Sequence, residues 1–437
     1  MYVCGPTVYN FSHIGNARPP VVFDVLARVL RRSHSLVYAR NVTDVDDRIN
    51  AAAKSENVEI GVITARYLTA YLEDMKMLGV QPPDVAPRVT EHIPQIIDLI
   101  GRLVESAHAY EAEGHVLFSV ESFPEYGHLS GRALEDMFAG ARVDVAPYKR
   151  DPGDFVLWKP STEDIVGWVS PWGRGRPGWH VECSAMAEAH LGETIDIHGG
   201  GQDLVFPHHE NEAAQSTCAH AGRLYCRYWI HNGLIHVESE KMSKSLGNVL
   251  LLRDLLKEAR PEAVRLGLLT AHYRQPLDWT ADVLVDAEQK LDRMYGALRA
   301  AGLSGVAVDD SDESAPTSVL EALSDDLNTP RALAALFELA RDANRETDRG
   351  RRAEIAKSLR AGAALLGLLQ ADPEEWFVDS EATGALDAAE IDALVNRREQ
   401  LRAERNFPEA DQIRDQLEKA GIVIEDSSEG PRWRRAR

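Results

Sequence analysis

The chain has 437 residues, 44% of them apolar and 27% charged, the composition of a folded globular protein long enough to hold more than one core. Forty-eight basic against 69 acidic residues leave a net charge of −21, which argues against nucleic-acid binding except at local basic clusters such as Arg31-Arg32, Arg397-Arg398 and Arg432 to Arg437. No apolar run has the length of a membrane span, and no charged, apolar and small-residue order marks a secretory leader, so no membrane contact and a cytoplasmic location are expected. Cys4, Cys183, Cys218 and Cys226 are too few and scattered for a disulfide framework and read as reduced thiols or metal ligands.

The stretch from Tyr2 to Arg18 organises the rest of the chain. Cys4 lies on a segment reading as a buried strand, a Gly/Pro turn comes next, and His13-Ile14-Gly15-Asn16 opens an amphipathic helix carrying Val21, Val22, Val25, Leu26 and Val29. A strand, a tight turn and a helix start form a natural phosphate site, because free N–H groups and the positive helix end face the anion. Val37 to Val42 reads as the next strand, which opens a βαβ unit. Asn50 to about Ala109 has a helical period, broken at Pro82-Pro83 and Pro87. From about Glu111 to Pro177 the pattern changes to strand-like alternation at Val116 to Val120 among dense Gly, Pro and Trp, and reads as an insertion. Then come a strand at Thr194 to His198, a turn at Gly199-Gly200-Gly201, a helix from Pro207 to Ala219 and a strand region from Tyr228 to His236. That order is the second half of a doubly wound domain.

Lys241-Met242-Ser243-Lys244-Ser245 puts two ammonium groups and two hydroxyls in five residues. Beyond it Leu251 to Leu269 is apolar-periodic, Pro276 to Thr280 reads as a loop, and Ala281 to Ala300 as a helix. An acidic linker spans Gly305 to Thr317, and Asn328-Thr329-Pro330 caps a helix with Leu333, Leu336, Phe337 and Ala340 on one face. After a break at Asp372 to Gly384, two tail helices, about Ala388 to Glu404 and Pro408 to Ala420, precede a small strand at Ile422 to Ile424.

His13-Ile-Gly-Asn16 with Lys241-Met-Ser-Lys-Ser245 resembles the paired signatures of class I aminoacyl-tRNA synthetases. Tyr2 to Tyr9, Asn41 to Asp47, Gly178 to Ser184 and Phe206 to Glu212 narrow the resemblance to the cysteinyl family, over nearly the whole chain. The chain departs from the family in two places. It begins almost on the first Cys block, which points to a missing first strand, and Asn16 stands where the general signature has a second His. The resemblance implies an α/β fold: a Rossmann-type catalytic domain (1–110 and 178–240) with a short insertion (111–177). A stem-contact region (241–303), a helical bundle (318–371) and a small anticodon-binding domain (385–437) complete it.

The activity so implied is ATP-dependent activation of L-cysteine, with Mg²⁺ accompanying ATP, then transfer to the terminal ribose of tRNA(Cys) by a monomer. One Zn²⁺ is implied at Cys4, Cys183, His208 and Glu212. On a predicted helix His208 and Glu212 lie four apart on one face, but His209, three from Glu212, fits the spacing too. A zinc-bound thiolate would tell cysteine from serine by a bond, which makes editing unnecessary. Gly5, Thr43 and Trp179 match the amino-acid pocket. His13, Gly15 and Asn16 would hold the ATP phosphates from one side, Lys241 and Lys244 from the other, and Gly199, Gly200, Gly201 and Asp203 the adenosine. Arg397, Arg398, Asp426, Arg432 and Trp433 match the anticodon reader, with Trp433 as a stacking face. The alternative is a cysteine ligase with an amino-sugar acceptor, against which the Arg-rich tail argues; a zinc-stabilised RNA-binding protein without catalysis is a third reading.

Overall fold

The computed structural model describes residues 1–131, 146–238, 240–241, 249–305, 315–377, 388–420, 422–427 and 430–435. They fall into two compact units. The first comprises Met1–Glu288, Glu321–Leu333 and Leu365–Gly367; the second comprises Gln289–Leu320, Ala334–Ala364 and Leu368–Arg437.

In the first unit β1 (Tyr2–Val3) leads through a loop to α1 (Ile14–Arg31), and β2 (Ala39–Arg40) returns parallel to β1. α2 (Asp47–Glu56), α3 (Ile60–Met77) and α4 (Ile93–Glu105) fill the stretch of helical period. The insertion is an antiparallel sheet of β3 (Ala109–Ala112), β4 (His115–Phe118), β5 (Phe155–Pro160) and β6 (Gly175–Pro177). Asp154 anchors it, accepting from the Tyr110 hydroxyl at 2.5 Å and the Val120 N–H at 3.0 Å. α5 (Trp179–Leu191), β7 (Ile195–Gly201), α6 (Glu210–Ala219) and β8 (Cys226–Asn232) complete the doubly wound half. The main sheet runs β2-β1-β7-β8, all parallel.

Both faces of this sheet are covered, as an all-parallel sheet requires. On one, α4 turns Ile93, Ile96, Leu99, Ile100 and Leu103, spaced three and four apart, into a core with Val181, Met186 and Tyr2. On the other, Phe23 and Ala27 of α1 pack on Val3 and Tyr38. A small sheet of β9 (Ile235–Val237), β10 (Glu240–Lys241) and β11 (Leu277–Trp279) comes next, with α7 (Leu252–Glu258) and α8 (Pro261–Leu269) between its last two strands. Arg265 of α8, fully buried, donates to Asp24 of α1, to the Leu366 carbonyl at 2.7 Å and to the Leu78 carbonyl at 3.1 Å. α1 is thereby fixed behind its functional N-terminus.

The helix α9 (Ala281–Ala300) runs from the first unit's residues into the second's. α10 (Thr317–Ser324), α11 (Thr329–Arg345), α12 (Arg349–Leu365) and α13 (Pro373–Phe377) come next, then a tail of α14 (Ala388–Ala403), α15 (Phe407–Lys419), β12 (Ile422–Ser427) and β13 (Gly430–Arg435). The expected cap of α11 is present, since Asn328 Oδ1 accepts from the Arg331 N–H at 3.1 Å.

Three local readings from sequence are corrected and a fourth is extended. Gly199 to Gly201 are the end of strand β7, paired with Ile230 to Asn232, rather than a turn. α6 begins as regular α-helix only at Glu210, after an irregularly wound Val205–His209. Leu277–Trp279 inside the expected loop pairs in parallel with β9, and the tail strand has an antiparallel partner, Gly430–Arg435.

Candidate active site and metal centre

Between β1 and β7 the strand order reverses, and a doubly wound sheet opens a crevice at the C-terminal ends of the strands there. In this place the structure has a cleft of about 490 Å³, lined by Cys4, His13, Asn16, Trp179, Gly201 and Asp203 among others. Gly5 and Gly15 line it as well.

His13 is the N-cap of α1, with extended backbone. The Asn16 side-chain oxygen accepts from the His13 N–H at 3.1 Å, so this amide closes the helix start and keeps its N–H₂ for a further acceptor. His13 Nδ1 is buried without a partner, and burial pulls its pKa down, so a neutral imidazole sits at an anion-favouring helix end. The same loop is stitched to the residues just past Lys241 to Ser245: Ile14 N–H donates to Leu250 at 3.0 Å and Leu252 N–H to Ser12 at 2.9 Å. The helix start of the first signature is therefore tied by backbone bonds to Leu250 and Leu252, downstream of the second. The side chain of Lys241 and the whole of Lys244 lie outside the described residues.

Gly5 is sterically required, because a Cβ there would lie 1.7 Å from the Asn41 carbonyl oxygen. Its N–H donates to Asn41 Oδ1 at 2.8 Å, and Asn41 Nδ2 donates to Thr43 Oγ1 at 3.2 Å. Thr43, 2% exposed, thus lies behind the cleft wall and holds the residue that holds Gly5. Gly199 and Gly200 also lie behind the lining. A Cβ on the first would meet the Phe23 ring at 2.2 Å, and one on the second would meet Leu204 at 2.9 Å and His209 at 3.0 Å. Trp179 stacks on His208 with ring centroids 4.3 Å apart and leaves its other side open to the cleft.

Four potential ligands converge beside this opening. Cys4 Sγ lies 3.7 Å from Cys183 Sγ, 3.4 Å from His208 Nε2 and 3.5 Å from Glu212 Oε1, and the last two atoms are 3.0 Å apart. A tetrahedral zinc ion with Zn–S of about 2.3 Å and Zn–N of about 2.0 Å has S···S edges of about 3.8 Å and S···N edges of about 3.5 Å. The residues present fit that ion. The electrostatics agree: burial would raise Glu212, but His198 and His208 hold its carboxyl well below the usual range. The hydrogen bond from the Cys4 thiol pulls Cys183 down to about 6, while burial pushes Cys4 up. A buried thiol, a half-buried one and a buried carboxylate form a donor set that a dication would neutralise.

His209 comes near as well: Cys4, His198, His209 and Glu212 have ligand atoms within 4.8 Å of one another. Yet His209 Nε2 is 4.0 Å from Glu212 Oε1, and its Nδ1 lies 2.8 Å from His231 Nε2. His198 Nε2 is taken up by Glu212 Oε2 at 2.9 Å. The set with Cys183 and His208 has the tighter tetrahedral edges.

Sequence reading missed the residues that orient these ligands. Glu212 Oε2 accepts from Tyr225 as well as facing His198, which leaves Oε1 toward Cys4. His180 Nδ1 is 3.0 Å from His208 Nδ1; burial and the His208 charge lower His180 to about 3, so it is neutral and accepts a hydrogen bond from the His208 Nδ1–H. His208 then presents Nε2 to the thiols. His180 is legible as the residue after Trp179, but His198 and Tyr225 belong to other elements and carry no spacing signal.

In the tail the expected tRNA contacts separate. Arg397 is exposed; the side chains of Asp426 and Arg432 lie outside the described residues. Arg398 is buried beside Glu399 at 2.9 Å, which withdraws it from solvent phosphates. Trp433 is 8% exposed, packs with Ile391, Val395, Leu417 and Ile422, and donates its indole N–H to Asp392 at 2.7 Å. The stacking face read from sequence is instead a core residue.

The parallel sheet, the His-Ile-Gly-Asn helix start and the cleft define a class I tRNA synthetase. Residues 1–289 match the family described as tRNA synthetases class I (C) catalytic domain, 318–370 the DALR domain, and 387–434 the cysteinyl-tRNA ligase anticodon binding domain. The cysteine–tRNA ligase of Parvibaculum lavamentivorans is 60% identical over 99% of this chain and 92% of its own length. That of Rhodospirillum rubrum is 56% identical over 100% of this chain and 95% of its own. Mycobacterium tuberculosis methionyl-tRNA synthetase in complex with methionyl-adenylate shares the fold, with TM-score 0.58 at 16% identity, over 84% of this chain and 89% of that one. The chain belongs to the cysteine–tRNA ligase family.

Proposed function

We propose that the chain activates L-cysteine with ATP and Mg²⁺ and esterifies it to the terminal ribose of tRNA(Cys), as a cytoplasmic monomer. The observation that carries this reading is the Cys4, Cys183, His208, Glu212 cluster opening onto the cleft beside His13 and Asn16. Cys4, Cys183, His208 and Glu212 would hold a zinc ion there, which would supply a soft Lewis acid with affinity for the substrate thiolate and little for a serine hydroxyl.

The cysteine carboxylate is already an anion when it attacks the α-phosphorus, so the protein's part is positioning and charge stabilisation. His13 donates from the helix end to the phosphates, and Asn16 adds its amide N–H₂. Gly15 lets the phosphates approach the backbone. Lys241 and Lys244 close on them from the other side. Gly199, Gly200 and Gly201 keep the floor under the adenosine flat, and Asp203 accepts from it. Trp179 walls the amino-acid pocket, with Gly5 as its floor and Thr43 bracing that floor through Asn41. Arg397, Asp426 and Arg432 contact the anticodon arm. An amino-sugar acceptor has no use for an anticodon binding domain, which residues 387–434 match. ATP–pyrophosphate exchange tests the reading: it should depend on cysteine, fail with serine and be lost with the metal. Exchange that proceeds equally with serine would overturn it.

A further inference from the structure

Arg18 stands two residues past Asn16 on α1 and is completely buried, yet among the described residues it makes no ion pair. Burial pulls its pKa down to about 10, with no carboxylate nearby to raise it, so the guanidinium stays charged at neutral pH. Its Nη1 donates to the Gly233 carbonyl at 2.7 Å and to the Leu234 carbonyl at 3.0 Å, and its Nη2 to the His272 carbonyl at 3.3 Å. Nε is buried without a partner. A buried cation with no counter-charge is costly, and local costs of this kind are kept where function needs them.

The carbonyls do not need Arg18 for their own satisfaction. Gly233 O already accepts from Asn232 Nδ2 at 3.1 Å, and Leu234 O from the Leu277 N–H at 3.0 Å. What the guanidinium adds is a fixed distance between α1 and the backbone that turns from β8 into β9. Gly233 leaves no slack there, since its N–H donates to the Tyr273 carbonyl at 2.7 Å and a Cβ on it would stand 2.4 Å from the Gln275 carbonyl oxygen. The loop behind it is pinned in turn by Asp326, which accepts from the Tyr273 hydroxyl at 2.7 Å and from Arg274 Nε at 2.6 Å. β9 starts at the next residue, Ile235, and pairs antiparallel with β10, where Lys241 lies opposite His236. Past the lysine signature, Leu250 and Leu252 are bonded to Ile14 and Ser12. The start of α1 therefore grips both flanks of the lysine-bearing segment, downstream through backbone and upstream through one side chain.

We propose that Arg18 is a positioning residue for adenylate formation, holding the strand that leads to Lys241 and Lys244 at a set distance from His13 and Asn16. Arg18 does not line the cleft, so it acts through the lysines and not on a substrate. The inference rests on the cysteine-activation reading and deepens it. A contact realised in the transition state changes kcat more than KM, and a misplacement of about 1 Å can cost about 10²-fold.

The test uses the full zinc-loaded chain with Arg18→Met, which keeps an apolar stem, and Arg18→Lys, which keeps a charge. Cysteine-dependent pyrophosphate exchange should lose about a hundredfold in kcat with Arg18→Met and about tenfold with Arg18→Lys, with KM for cysteine and zinc content unchanged. Arg18→Met/Lys244→Ala should be no slower than Lys244→Ala alone, because the two changes remove the same contribution. Hydrogen exchange at Ile235 to Val237 should quicken about tenfold in both single variants, and if Arg18→Met does not fold, Arg18→Lys decides by this measurement and its kcat. Unchanged kcat in a folded variant would overturn the proposal, and so would losses that multiply in the double variant or zinc loss in Arg18→Lys, which mark a general structural role. A wild type without cysteine-dependent exchange would instead sink the functional reading, and hydrogen exchange at Ile235 to Val237 would then decide the anchor by itself.

Discussion

The Tyr225 hydroxyl donates to Glu212 Oε2 at 2.9 Å, on the carboxylate oxygen opposite the one that meets Cys4 and His208. A buried carboxylate with one oxygen so held presents the other in a fixed direction, and partners of this kind are worth roughly 10–100-fold in metal affinity. Tyr225→Phe should bind zinc about tenfold more weakly and keep the fold, because the ring still packs. Competition with a chelator measures it; equal affinity would reduce Tyr225 to packing.

Cys183→Ser should lose zinc and cysteine activation together. A hydroxyl is a poor zinc ligand, and Cys183 supplies one of the two sulfur corners, 3.7 Å from Cys4. Metal analysis beside pyrophosphate exchange decides the matter. A zinc-free variant that activates cysteine normally would disprove the substrate-ligand role.

Arg265→Ala should destabilise the first unit by about 3–5 kcal/mol, since it leaves the buried Asp24 with Arg28 as its remaining cation. Burial would raise Asp24, but Arg265 and Arg28 hold its pKa below the usual carboxylate value. The stabilisation is therefore present above the unfolded pKa of about 3.9 and is lost as pH falls through the lower folded value. Thermal melts between pH 7 and pH 2.5 should show the wild type losing more stability than Arg265→Ala in the acid range. Parallel curves would mean that the pair adds nothing.

Trp433→Ala should unfold the tail domain, because truncating a buried Trp typically costs about 3–5 kcal/mol. Charging should then fall alike for transcripts with any anticodon, and limited proteolysis should cut between α14 and β13. Trp433→Phe should retain most of the packing. A folded Trp433→Ala that loses activity only on the cysteine anticodon would restore the stacking role.

The catalytic fold was legible because its signals are local. His13 to Asn16 combine a cap and a helix start in four residues, and the 3.6 period marks α4 and α9 without help from partners. The ligands His208 and Glu212 could be paired by spacing, but the choice over His209 needed the ring directions set by His180 and His231. Gly199 to Gly201 looked like a turn because glycine is a turn former. They form a strand paired with Ile230 to Asn232, and Phe23 at Gly199 and Leu204 and His209 at Gly200 stand where side chains would. Trp433 carries the same chemistry in a core as on a surface, and its burial is decided by α14 and α15, which no local pattern reports.

Zinc K-edge absorption of the full chain, recorded with and without L-cysteine, decides whether the metal takes the substrate sulfur as a ligand. Two sulfur neighbours at about 2.3 Å are expected in the free protein, from Cys4 and Cys183, and three after cysteine is added, with no change on adding serine. A sulfur count that stays at two with saturating cysteine would contradict recognition of the substrate through zinc.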